Sequence, residues 1–366
     1  MTNKIPKILY VVRDDGGCGY FRCKQPATFI KRMGLAETEI VMQMPTDDQL
    51  NAADLVVMQE MGSENATKIL HKLLFHKIPF ITEIDDFVHH VSPRNVWGFP
   101  AWNPGTLYVH RAMEMTKVAA GVTVSTPQLA REYFPYNPFI YVVPNYLNKD
   151  LWDNPIIKPA DGKIRIGWMG GNAHADDLKM ISKVIERIVK ERKPNIRFET
   201  MGMTHQELGG VFNLNVLNQV CPACGFEGEL RNDPGEPIEI YPQVLCSKGW
   251  DIAVAPVINN SFGNCKSDLK IKEYAAAQIP IVASNVIPYK EAVDNGVHAL
   301  LANTYEEWYN MLIELVDHPN KRREMARHNK EWISKHWIQD NAQKIFEVYS
   351  QILARTALAR VKRTVI

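Results

Sequence analysis

Continuous apolar runs punctuate this chain. Residues 8–12 (ILYVV), 54–58 (DLVVM), 79–84 (PFITEI), 121–126 (GVTVST) and 139–144 (FIYVVP) are short, rich in β-branched residues and separated by segments of helical length. A run that is apolar on both faces is what a strand buried in a parallel sheet requires, and its alternation with helices predicts a doubly wound α/β layer. A break near 150–162, with Pro155, Pro159 and Gly162, reads as a linker. The pattern then begins again with KIRIGWM (163–169), IRFETM (196–201), 250–256, 279–283 and HALLAN (298–303). Two Rossmann-like domains are therefore expected, at 1–150 and 151–340. The sequence is helical from 304, and a C-terminal helix and tail are expected over 341–366. Ligands of such sheets bind beyond the carboxyl ends of the strands, so the loops after the runs are where chemistry is sought.

Two of those loops are rich in glycine. The first run leads into Arg13, Asp14, Asp15 and then GGCGYFR, with Gly17, Gly19 and Arg22; the run ending at Met169 leads into Gly170, Gly171 and His174. Glycines after a strand let backbone N–H groups approach an anion closely, although a tight turn needs them as well. His174 either reaches that anion or caps the following helix together with Asp176 and Asp177. The run PFITEI delivers Asp85 and Asp86, then His89 and His90, which are acid/base candidates. Aromatic residues at 97, 99, 102 and 108 follow, either as a stacking surface or as core.

The densest stretch is Trp250 to Asn285. Between its two apolar runs lie a polar loop and a helix for which Ser267 is the expected N-cap. Lys266, Lys270, Glu273 and Ala277 recur at helical spacing, so one edge carries two cations, a carboxylate and a small residue. Two cations beside a helix N-terminus suit a diphosphate, and a carboxylate one turn further in suits a ribose diol. Charges so spaced also describe an ordinary solvated face.

At 366 residues with 46% hydrophobic and 23% charged content, the composition is that of a soluble globular protein. The net charge of +1 argues neither for nor against an acidic partner, and six cysteines in a chain of this length are no disulfide framework. No apolar stretch reaches membrane-spanning length, and the N-terminus runs into a strand without a cleavage signal, so a cytoplasmic protein is expected. The segment 217–240 reads as an insertion. Its Cys221 and Cys224, in CPACG, have the spacing of half a zinc site. His205, Cys246 or a second subunit would have to complete a structural zinc centre; the alternative is two free thiols in a surface loop.

The run FGNCKSDLKIKEYAAAQIPIVAS, with Pro288, Tyr289 and Gly296 after it, resembles the donor-sugar segment of glycosyltransferases with the two-domain GT-B fold, close to the large retaining family 4. The resemblance implies a nucleoside diphosphate sugar as donor, with Glu273 on the nucleotide ribose. Lys266, Lys270 and the glycine loops would hold the diphosphate, so that no catalytic metal is required, and the last helix would cross back to the first domain. It also implies that GGCGYFR floors the interdomain cleft, making Arg22 a phosphate or acceptor contact. Asp85-Asp86 stand where the family often has a His-Asp pair, and PNYLNKDLW resembles the family's opening of the linker. Transfer would be to a hydroxyl of a polysaccharide, modified DNA base, lipid or protein. One position departs: the family's usual glutamates stand eight apart, and eight before Glu273 this chain has Cys265. That departure keeps a non-catalytic nucleotide-sugar or polymer-binding module on the same fold in play.

Overall fold

Two six-stranded sheets, parallel at every pairing of named strands, carry the molecule. The computed structural model describes residues 5–59, 61–91, 93, 98–192, 195–203, 205–213, 217, 230–233 and 235–364. The first sheet comprises β1 (Lys7–Val11), β2 (Glu37–Val41), β3 (Leu55–Met58), β4 (Phe80–Ile84), β5 (Gly121–Val124) and β6 (Ile140–Val142), in the order β2-β1-β3-β4-β5-β6. The second comprises β7 (Ile164–Met169), β8 (Ile196–Met201), β9 (Leu230–Asp233), β10 (Ile252–Ala255), β11 (Ile281–Ser284) and β12 (Leu300–Ala302), in the order β12-β11-β10-β7-β8-β9. The strand order reverses between β1 and β3 in one sheet and between β7 and β10 in the other. Those two points are where such sheets open a crevice at their carboxyl ends.

The apolar runs became strands because both of their faces are covered. Leu9 and Val11 of β1 pack on one side, with Val56 and Met58, while Ile8 and Tyr10 pack on the other, with Leu55 and Val57. Two strands carried no such signal. β2, ETEIV, is an edge strand left largely open to solvent, so its sequence is free to be polar. β9, LRND, is the far edge strand of the second sheet, and it lies inside the stretch read as an insertion. It pairs with β8 from Phe198↔Leu230 to Met201↔Asp233, so this part of the stretch belongs to the sheet.

Three connections hold the sheets face to face. The C-terminal helix Ile338–Thr364 crosses back to the first sheet, where its stripe of Ile338, Ala342, Ile345, Tyr349 and Ile352 is buried. Its start is tied to the linker by Leu147 N–H donating to the His336 carbonyl (3.0 Å) and Ile338 N–H donating to the Leu147 carbonyl (2.8 Å). The expected polar loop before Ser267 contains a short helix, Ser261–Cys265, capped by Asn260 Oδ1 accepting from Gly263 N–H at 2.8 Å. Phe262 and Cys265 of that helix pack into the first sheet's core, and Thr126 Oγ1 donates to the Cys265 carbonyl at 3.2 Å. The next helix is Leu269–Ala276, with Asp268 rather than Ser267 at its N-cap. Asp268 is held there by Lys272, whose Nζ is 2.8 Å away, so Lys266 precedes the helix instead of riding on it. No helix among the described residues is long and apolar enough to cross a membrane.

Candidate functional site

A cavity of about 500 Å³ opens at the second sheet's reversal point, and loops of the first sheet supply part of its lining. From the second sheet come Gly170, Gly171 and His174 after β7, Gly202 after β8, Gly235 and Glu236 after β9, and Val257 after β10. Lys266, Ser267, Lys270 and Glu273 enter from the segment before β11, and Gly17, Cys18, Asp85 and Asp86 from the first sheet. Most of the residues singled out from the sequence therefore meet around one space.

Backbone shape explains two of its glycines. Gly170 has φ +155° and Gly202 φ +105°, both in the region L side chains avoid. A Cβ on Gly202 would stand 2.7 Å from the Gly170 carbonyl oxygen, and one on Gly170 would crowd Trp168. The two loops can pass each other only without side chains.

The charges form a connected set. Lys266 Nζ lies 3.9 Å from the Asp86 carboxylate, and Lys270 Nζ stands over the Trp168 ring, 5.1 Å from its centroid. His174 Nδ1 is 3.1 Å from Asp177, whose other oxygen accepts from Ile258 N–H at 2.9 Å, so one carboxylate joins the loops after β7 and β10. Burial pulls Lys270 down to about 8, aided by Lys266, and pulls His174 down to about 4, aided by both lysines. Burial also disfavours the Lys266 charge, but Asp86 and Asp177 outweigh it and hold that ammonium up. Glu273 is pushed up to about 8 by burial, against Lys270 and a hydrogen bond from the Tyr241 hydroxyl. Two ammonium groups and a buried carboxyl along one edge suit a ligand that carries both an anionic group and hydroxyl donors.

A second cavity, about 160 Å³, adjoins the first at Cys18, Asp85 and Asp86. It lies at the first sheet's reversal point, with Arg13 from the loop after β1 and Gln59 and Met61 from the loop after β3. Trp102 lines it too. Beneath it Arg22 is 2% exposed and pairs with Glu83 through Nε at 2.7 Å, while its Nη1 donates to the Val143 carbonyl and to Asn145 Oδ1. Asn145 Nδ2 donates to Asp85 at 3.2 Å, and its carbonyl accepts from Lys272 Nζ at 2.8 Å.

Some expectations need correcting. Arg22 does not reach the larger cavity, because the buried Glu83 draws it under the smaller one. Gly19 lines neither cavity: it is packed beneath the turn, where a Cβ would overlap the Asp14 carbonyl. His89 packs against Met113 and Tyr136 and His90 stacks on Phe87, so neither histidine lines either of these two cavities. Cys246, a proposed zinc partner, is buried in the apolar core with Leu245 and Trp250. Cys221, Cys224 and Trp97 lie outside the described residues. Among those described, no group of three His, Cys, Asp or Glu could hold a metal ion. Tyr241, Glu236 and Gln59 carry no sequence signal, and Asn145 entered only within the linker-opening motif PNYLNKDLW; Gly202 was not expected, although it follows a predicted strand end.

No family model matches the sequence, and no curated protein matches it. Solved structures do match in three dimensions. HepE from Anabaena, in complex with UDP and glucose, superposes with a TM-score of 0.66 at 12% identity over 95% of this chain and 100% of its own. Sucrose-phosphate synthase from Thermosynechococcus elongatus gives 0.69 at 13%, covering 96% and 100%. A glycosyltransferase from Rickettsia africae gives 0.65 at 11%, covering 96% and 99%. The chain has the fold of these proteins, two doubly wound sheets facing across a cleft in the GT-B arrangement.

Proposed function

We propose that the protein is a glycosyltransferase that takes a hexose from a UDP-sugar and transfers it to an acceptor hydroxyl. The observation that carries this reading is the single cavity lined at once by the Gly170-Gly171 loop, Lys266, Lys270, Glu273 and, from the opposite sheet, Asp85 and Asp86. The structures of HepE with UDP and with UDP-glucose support the choice of nucleotide. In this reading Glu273 accepts from the ribose diol, and the diphosphate lies against the two lysines, the loop amides and His174. The bond between the anomeric carbon and the diphosphate oxygen breaks and one to the acceptor oxygen forms. The acceptor proton ends on the departing phosphate. Lys266 and Lys270 stabilise the charge that builds on that leaving group, the work a divalent ion does elsewhere. Asp85 and Asp86 orient the acceptor hydroxyl at the junction of the two cavities. The resemblance of the donor segment favours a retaining, metal-independent transfer.

The test is a calorimetric titration with UDP, followed by mass spectrometry of UDP release from a panel of UDP-hexoses with mixed acceptors. Micromolar UDP binding and release of UDP with a glycosylated product are expected. One observation favours the binding-module reading: Cys265 is 1% exposed and turned into the first sheet's core, so no side chain at that position meets a donor sugar. Tight UDP-sugar binding without any turnover would establish that alternative.

A further inference from the structure

The smaller cavity holds unmet hydrogen-bonding capacity of both signs. Arg22 Nη2 is buried and has no partner among the described residues, although the other nitrogens of the same guanidinium are engaged. Leaving a charged donor unsatisfied inside a protein is costly, which points to a ligand oxygen that completes it. Gln59, 5% exposed, uses its oxygen to accept from Arg13 N–H at 3.0 Å, which leaves the amide nitrogen to donate. Asp85 and Asp86 supply acceptors on the side that meets the larger cavity. Donors and acceptors together match hydroxyl groups, each of which can both give and receive a hydrogen bond.

The charge balance narrows the class further. Three carboxylates, Glu83, Asp85 and Asp86, line the cavity against two guanidiniums, Arg13 and Arg22. Both guanidiniums are already paired, with Asp14 at 3.0 Å and Glu83 at 2.7 Å. A phosphate or carboxylate entering here would face Asp85 and Asp86, and the ammonium beside them, Lys266, already stands 3.9 Å from Asp86. The remaining walls, Met61, Val88, Val91, Trp102 and Phe262, are apolar and suit the C–H faces of a ring. At about 160 Å³ the space is that of one ring, below the ~300–1,000 Å³ of sites enclosing a whole drug-sized ligand.

We propose that the acceptor is a saccharide, one neutral sugar ring of which sits in this cavity with a hydroxyl at Asp85 and Asp86. The inference rests on the glycosyltransferase reading and adds the acceptor class to it. Gln59 and Arg22 Nη2 select the ring's other hydroxyls, and the negative lining turns away phosphate-bearing polymers.

The experiment offers the intact chain a UDP-hexose panel and three acceptors: methyl hexopyranosides, a glycerol phosphate oligomer, and a duplex oligonucleotide with hydroxymethylated bases. Transfer to a methyl hexopyranoside is expected, with saturation transfer from protein to that glycoside in NMR without donor. Gln59→Glu keeps an oxygen for Arg13 N–H and replaces the donor by a charged acceptor, so it should raise the acceptor KM about tenfold or more, at least one good hydrogen bond, while UDP affinity holds. An unchanged acceptor KM in Q59E, or products only on the phosphate-bearing acceptors with UDP binding intact, overturns the saccharide assignment alone. Absence of UDP binding overturns the glycosyltransferase reading and this one with it.

Discussion

Lys266 and Asp86 face each other across the cleft, 3.9 Å apart, one from each half of the molecule. The pair sits where the larger cavity meets the smaller, so a donor diphosphate would compete with Asp86 for the ammonium. Asp86→Asn should therefore leave UDP affinity unchanged or slightly tighter while lowering kcat by about a hundredfold, the scale of a lost group that acts in the transition state. Calorimetry beside steady-state kinetics separates the two effects. A UDP Kd weakened as much as kcat would assign Asp86 to nucleotide binding instead.

Glu273 offers a test in two parts. Replacing it by Gln should weaken UDP binding by about 1.5–3 kcal/mol above pH 8, where the carboxylate is ionised and its hydrogen bonds to the diol are charge-assisted. The same substitution should change the pH dependence of stability. The unfolded chain releases this proton near 4.5 and the folded chain near 8. Between those values the folded state holds the extra proton, so its contribution to stability is present below 4.5 and fades as pH rises towards 8. Urea unfolding at about pH 5 and about pH 7.5 should show a loss in the unaltered protein that is smaller in Glu273→Gln. Equal losses in both would mean that Glu273 is ionised in the empty site.

What could be read from the sequence follows from what each residue answers to. Buried parallel strands must be apolar on both faces, so β1, β3, β7 and β10 announced themselves, and the loops after β1, β4 and β7 with them. Glu273 and Lys270 were legible because helical spacing alone puts them on one edge. The edge strand β2 answers to solvent and gave no pattern, and β9 lies inside the stretch read as an insertion. Arg22 read equally as a phosphate or an acceptor contact because nothing local reveals that Glu83, 61 positions away, lies against it and draws it to the smaller cavity. The caps at Asn260 and Asp268 depended on where the short helix Ser261–Cys265 meets the first sheet, a tertiary fact.

The Arg22–Glu83 pair gives a stability prediction. Both side chains are 1% exposed, and Glu83 also accepts from Thr123 Oγ1 at 2.6 Å. Removing one partner strands a buried charge, so Arg22→Leu and Glu83→Leu should each cost about 3–5 kcal/mol. The double substitution should cost about 1–3 kcal/mol less than their sum, since neither charge is then left alone. Strict additivity in urea melts would mean that the two residues act independently.

Asn145 is the place where the linker touches both halves of the site. Its side chain accepts from Arg22 and donates to Asp85, and its carbonyl holds Lys272 of the helix that carries Glu273. The residue is fully buried and touches neither cavity. Asn145→Ala would leave the backbone bond to Lys272 in place and remove both side-chain bonds, exposing the Asp85 carboxylate to rotation. About 1–3 kcal/mol of stability should be lost, the cost of buried polar groups left without partners. Transfer should fall through kcat while the UDP Kd holds, because the disturbed carboxylate lies on the acceptor side. Asn145→Asp keeps an acceptor for Arg22 but sets a second carboxylate against Asp85, so it should disturb transfer at least as much as alanine while costing less stability. If both variants bound UDP weakly, with kcat preserved, Asn145 would be acting through Lys272 on the donor side and not on the acceptor side.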